Sequence, residues 1–159
     1  MNPKPKSLTP WRDKIEKPAV PQIVEIPDKM QARFGKGRMV IATPMIVEDI
    51  VRKIPKGGLT TVSAIMEKLC EDFCTDSACP ITTGIFLNIV AKAAEEDLAA
   101  GRKDIAPYWR VLKTKGALNP KYPGGMEAQA ERLEAEGHEI EKTRKTWKVK
   151  GFERQLTDI

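Results

Sequence analysis

The chain has 159 residues and a mass of 17.7 kDa, a length that suits one compact domain with tails better than two full domains. Its hydrophobic content of 41% supports a core, yet no stretch reaches the roughly 18 apolar residues of a membrane helix, and the opening MNPKPKSLTP has no apolar signal-peptide block. The net charge of +5 sits mostly at the ends, with nine Lys/Arg against four acids in residues 1–38 and six against four in residues 139–159.

These features point to a cytoplasmic protein without a membrane, whose Cys70, Cys74 and Cys79 are reduced. A modest basic excess suits a nucleic-acid partner but does not identify one. Residues 1–38 hold Pro3, Pro5, Pro10, Pro18, Pro21 and Pro27 among many Lys and Arg, and such spacing forbids long helices. Within this basic arm, VPQIVEIP reads as a short extended strand and DKMQARFGKG as one or two helical turns. The arm is expected to order only by docking, and it offers a surface for a protein partner. A main domain is expected over 39–140, followed by a basic strand and tail over 141–159.

TPMIVEDIVRKIPKGG carries both ends of a helix. Thr43 can cap, Pro44 suits the first helical position, and Gly57–Gly58 after Pro55 stops it. Val47, Ile50, Val51 and Ile54 fall at i, i+3, i+4, i+7, one buried face. TTVSAIMEKLCEDF repeats the pattern, with Thr60 or Thr61 as cap and Val62, Ile65, Met66, Leu69 and Phe73 as an apolar stripe. TDSAC is a short polar turn, and Pro80 opens a third helix over 80–99. Two helices joined by a tight turn form a helix-turn-helix candidate. On the third helix, Thr82, Thr83, Gly84 and Asn88 make a small, polar face that lets a backbone approach DNA, although no Lys or Arg precedes Lys92.

PYWRVLK reads as a strand, whose period of two sends Tyr108 and Trp109 to opposite faces. GALNPKYPGG is a loop of turn formers, and Arg110, Lys113, Lys115 and Lys121 make this region basic. MEAQAERLEAEG is a charged helix closed by Gly137, and KTWKVKGF alternates as a half-exposed terminal strand.

The order and spacing of Ile54–Val62, Pro80–Ile85, Pro107–Val111, Gly124–Gly125 and Leu133–Gly137 resemble the C-terminal DNA-binding domain of methylated-DNA–cysteine alkyltransferases and their alkyltransferase-like relatives. The likeness spans roughly residues 43–140. It implies a mainly α fold with small β elements, a winged helix-turn-helix of the alkyltransferase DNA-binding type. In that family the P-C-H-R-V cysteine accepts the alkyl group and is activated through the adjacent histidine; the matching positions here are Tyr108 and Trp109. A phenol with a reference pKa near 10 is a poor nucleophile at neutral pH, and an indole only donates its proton. The family tyrosine corresponds to Val62, and the recognition-helix arginine to Pro80 or Cys79.

The expectation is therefore a non-catalytic, monomeric DNA-binding protein of the alkyltransferase-like type, linked to DNA repair or damaged-base recognition. Thr60, Thr61, Thr82, Thr83, Gly84, Asn88, Arg110, Lys113 and Lys115 are its candidate DNA contacts. Val62, Pro107, Tyr108, Trp109, Gly124 and Gly125 are its candidate pocket. A protein-interaction or small-ligand module on the same fold is the alternative. A thiol-dependent transferase using Cys79, beside a helix start whose dipole lowers a thiol pKa, is a further one. The C-x3-C-x4-C spacing, with His138 as sole histidine, matches no tight zinc knuckle, so neither metal nor cofactor is expected.

Overall fold

The computed structural model describes residues 10–159; the first nine residues of the expected basic arm, Pro3 and Pro5 included, lie outside the described residues. Helix α3 (Pro44–Arg52) starts where its capping signals place it: the Thr43 hydroxyl accepts from the Ile46 N–H at 3.2 Å, and Pro44 opens the first turn. Val47, Ile50 and Val51 are buried, as is Ile54 just past the helix end. Helix α4 (Val62–Phe73) is capped by Thr61, whose hydroxyl accepts from the Ala64 N–H at 3.1 Å. Helix α5 (Pro80–Ala99) is the longest and packs against α3 and α4.

Residues 10–41 form four elements that pack on this helical body. Helix α1 (Trp11–Glu16) lies against α5, strand β1 (Gln22–Glu25) pairs antiparallel with β2 (Arg38–Ile41), and α2 (Asp28–Phe34) connects them. The strand and the helical turns of the arm occur where VPQIVEIP and DKMQARFGKG predict them, whereas α1 carried no clear sequence signal. Its docking is electrostatic as well as apolar. Ile15 is buried, the Glu96 carboxylate accepts from the Trp11 and Arg12 N–H groups at 2.9 and 3.0 Å, and Arg12 bridges Glu48 and Asp97.

The turn between α4 and α5 is also a strand. Cys74 takes the left-handed conformation at φ +53, and β4 (Ser77–Ala78) then adds to β2 in parallel, giving a three-stranded order β1-β2-β4. A second pair joins β3 (Thr60–Thr61) in parallel to β5 (Val111–Leu112). Helix α6 (Gly125–Ala135) follows, and the antiparallel hairpin β6 (Ile140–Lys142) and β7 (Trp147–Val149) comes near the C-terminal end. The mainly helical architecture with small sheets agrees with expectation, and no helix among the described residues is long and apolar enough to cross a membrane.

Two expectations need correction. The aromatic segment is not a strand at its aromatics: Tyr108–Arg110 form a 3-10 turn after Pro107, and only Val111–Leu112 are extended. A 3-10 turn rotates successive residues by about 120° rather than 180°, so Tyr108 and Trp109 both enter the core instead of facing opposite sides. On α5 the buried and open faces are rotated relative to the polarity pattern. Thr83, Leu87, Val90, Ala91 and Ala94 face the core, while Ile81 and Ile85 are 65% and 50% exposed.

Candidate nucleic-acid interface

Three of the segments that carry the family likeness meet at one carboxylate. Glu136, just after α6, accepts from Arg110 Nε at 2.9 Å and Nη2 at 2.8 Å, from the Trp109 indole at 3.0 Å and from the Gly57 N–H at 3.2 Å. Arg110 Nη1 also donates to the Ile54 carbonyl at 2.7 Å. Burial alone would raise the Glu136 pKa, but the hydrogen bonds from Arg110, Trp109 and Gly57 outweigh it and hold the carboxyl below its usual range. Arg110, expected at a DNA phosphate, has its guanidinium engaged inside the molecule. Gln129, fully buried, is a second clamp: its amide donates to the Trp109 carbonyl at 3.1 Å and accepts from the Asn119 N–H at 2.7 Å.

Tyr108 is part of the buried core. It is only 2% exposed and stands edge-on to Trp109 and Tyr122, with centroids 5.4 and 5.1 Å away. Its hydroxyl donates to Glu95 Oε1 at 2.6 Å, and Arg132 Nη2 donates to the same oxygen at 2.5 Å. Burial first, and the Glu95 carboxylate second, push its pKa well above the ordinary phenol value, so the phenolate is further out of reach than in a free tyrosine. The shallow hollow outside this network is lined by Glu95, Gly124 and Arg132 but not by Tyr108. Pro107 and Trp109 are buried with it, and Gly125 opens α6.

An open concavity lies on the α4–α5 face. A groove of about 540 Å³ is bounded by α2, α4, the N-terminal half of α5 and the 113–121 loop. Ile81, Gly84, Ile85 and Asn88, at i, i+3, i+4 and i+7, form one wall. Val62, Met66 and Phe34 complete an apolar floor, and Arg33, Lys113 and Lys121 stand at its rim. Among the described residues that line it there is no carboxylate. Among the described residues, the Asn88 Oδ1 is buried without a hydrogen-bond partner.

Among the described residues, Gly84 has nothing within 4 Å of the position a Cβ would take. Close helix packing therefore does not explain this glycine, which costs roughly 1 kcal/mol in a helix relative to Ala. The structure brings together Thr82, partly exposed at its edge, Gly84, Asn88, Lys113 and Val62 on or near this groove, with Lys115 exposed further along the same loop. It withholds Thr60, buried in β3, and Thr83, whose hydroxyl donates to the Cys79 carbonyl at 2.7 Å. Thr61 spends its hydroxyl on the α4 cap.

Cys79 is 8% exposed and packs with Ile26 and Met39 under the arm, so it does not present an accessible nucleophile. Sequence reasoning missed Arg33 and Phe34, because they belong to the arm and reach the groove only by docking. It also missed Glu95, Gln129 and Glu136, whose partners are distant in sequence. Pairing each with a buried donor was the only signal, and it needs the fold.

No protein-family model matches the chain, and no curated protein matches it. Two solved structures share its fold. A crystal structure of S. pombe ATL in complex with DNA superposes with a TM-score of 0.52 at 20% identity, covering 73% of this chain and 94% of that one. S. pombe Atl1 in complex with damaged DNA containing O6-carboxymethylguanine gives a TM-score of 0.50 at the same identity and coverage.

Proposed function

We propose that this chain, whose fold is that of the S. pombe alkyltransferase-like protein, is a non-catalytic DNA-binding protein of that type. In this reading α4, β4 and α5 act as the helix-turn-helix, with the β6–β7 hairpin as wing, and the groove face of α5 meets DNA together with Lys113, Lys115 and Lys121. DNA repair is the setting that the damaged-DNA complex of the related fold suggests.

The observation that carries the reading is the groove itself. Among the described residues its rim is cationic without carboxylates, its floor is apolar, and its recognition-side glycine leaves room for close backbone approach. Phosphates suit such a rim and base or sugar edges suit such a floor. Because Tyr108 is buried, the proposed contact is with groove and backbone, not with a base seated at Tyr108. Alkyl transfer is excluded from the proposal because the phenol stays protonated and hydrogen-bonded to Glu95.

A fluorescence titration of duplex DNA across salt concentrations tests it. Counterion release requires log K to fall linearly with log salt, by about 0.9 per phosphate contact. Absence of salt-sensitive binding at micromolar protein rejects the proposal. The exposed Ile81 and Ile85 favour one rival, an apolar protein partner seated in the same groove. A partner retained after nuclease treatment, together with no DNA binding, selects that rival.

A further inference from the structure

Beside the groove, sharing Lys113 and Thr114 with it, lies a separate cleft of about 530 Å³ between the 113–120 loop and the β6–β7 hairpin. Four ammonium groups, Lys113, Lys115, Lys145 and Lys148, line it, and among the described residues lining it there is no carboxylate. Among the described residues, none of the four forms an ion pair, whereas Lys142 and Lys150 of the same hairpin lie 3.9 Å from Glu134 and Glu139. Lys142 faces the Trp147 side, paired across the strands with Trp147, and Lys148 faces the other side, opposite Glu141.

The two walls are fixed to each other by backbone. The Leu118 N–H donates to the Trp147 carbonyl at 2.8 Å, and Ala117 bridges to Lys148. Phe152 sits so close over Gly116 that a Cβ there would come within 2.5 Å of its ring. Lys115 holds a left-handed conformation, φ +61, that a lysine adopts only at a cost of about 1–2 kcal/mol. That conformation and its exposure place a cation at the loop tip instead of the glycine or asparagine that the backbone would prefer.

Four unpaired ammonium groups held together repel one another, an arrangement that becomes favourable when an anion enters. We propose that this cleft is a second phosphate-binding station, taking the phosphodiester backbone of the same DNA after it leaves the α5 groove, with Lys145 and Lys148 as its contacts from the hairpin. The shared Lys113 and Thr114 make the path continuous. This inference rests on the DNA-binding reading and extends its footprint onto the hairpin.

Three single variants of equal charge change test it: Lys145→Ala, Lys148→Ala and Lys142→Ala, each checked for unaltered thermal unfolding, in salt titrations against duplex DNA. The first two are expected to lower the salt slope by about 0.9 each and weaken binding at fixed salt. Lys142→Ala, on the opposite face, is expected to match the parent. If all three behave alike, whether all unchanged or all equally weakened, the second station is refuted while DNA binding stands. If the parent itself shows no salt-dependent binding, the underlying reading fails and this inference fails with it. If a variant alters unfolding, Lys145→Gln and Lys148→Gln, which keep side-chain length, supply the comparison.

Discussion

The Trp109 indole donates to Glu136 Oε2 at 3.0 Å, and Arg110 holds the same carboxylate through its Nε and Nη2. One acidic side chain thereby locks the aromatic turn, the end of α6 and the Gly57 loop that precedes β3 into one unit. An arginine that looked like a phosphate contact in sequence is an internal strut.

Removing that carboxylate should be costly. Glu136→Ala leaves the nearly buried Arg110 guanidinium and an indole N–H without their acceptor, and about 3–5 kcal/mol of stability should be lost. Its pH dependence follows from the lowered Glu136 pKa. A group depressed in the folded state stabilises fully above its unfolded value, ordinarily 4.5, and loses that contribution as pH falls through the folded one. Urea unfolding of parent and Glu136→Gln should therefore differ most near neutral pH and converge in acid.

Tyr108 should be chemically inert. Incubation with an oligonucleotide bearing an O6-alkylguanine should leave the protein mass unchanged, because the phenol's pKa is raised by burial and by Glu95. A mass increase at Tyr108 would refute this. Tyr108→Phe removes one hydrogen bond while Arg132 still partners Glu95, so it should cost only about 0.5–1.5 kcal/mol in thermal unfolding. Its DNA affinity should stay at the parent level.

Gly84 should separate stability from binding. Nothing obstructs a Cβ there, so Gly84→Ala should stabilise the protein by up to about 1 kcal/mol. Gly84→Glu should place a carboxylate on the groove wall facing Lys113 and Lys121, and DNA affinity should fall by more than about tenfold, or 1.4 kcal/mol. Equal DNA affinity of Gly84→Glu and parent would contradict the groove as the contact face.

Arg12 should anchor the arm. Its guanidinium joins Glu48 Oε1 at 2.9 Å and Asp97, both largely buried. Arg12→Ala removes the nearest partner of two carboxylates but leaves Glu48 beside Arg52 at 3.7 Å and Asp97 beside Arg102 at 3.5 Å, so it should lose about 1.5–3 kcal/mol in chemical unfolding. Because Arg33 and Phe34 reach the groove from the docked arm, weaker DNA binding should accompany it.

The sequence by itself determined the elements whose signals are local. Thr43 with Pro44, Thr61, Pro80 and Gly137 mark helix ends through capping and φ preferences that act within one turn, and α3 to α6 begin and end close to those marks. It also determined that thiol and imidazole are missing from the P-Y-W-R-V segment, since that is a matter of residue identity alone. Only the tertiary structure decided how side chains are spent. Thr83 and Ile81 exchange the roles their polarity suggests, because helix rotation is set by what α5 packs against and not by its own weak amphipathicity. Arg110 turns inward because Glu136, 26 residues away, accepts it, and Lys145 and Lys115 line one cleft because β7 docks on the 113–118 loop. Pairings between distant residues leave no periodic trace in the chain, so charge and spacing alone could not separate strut from contact.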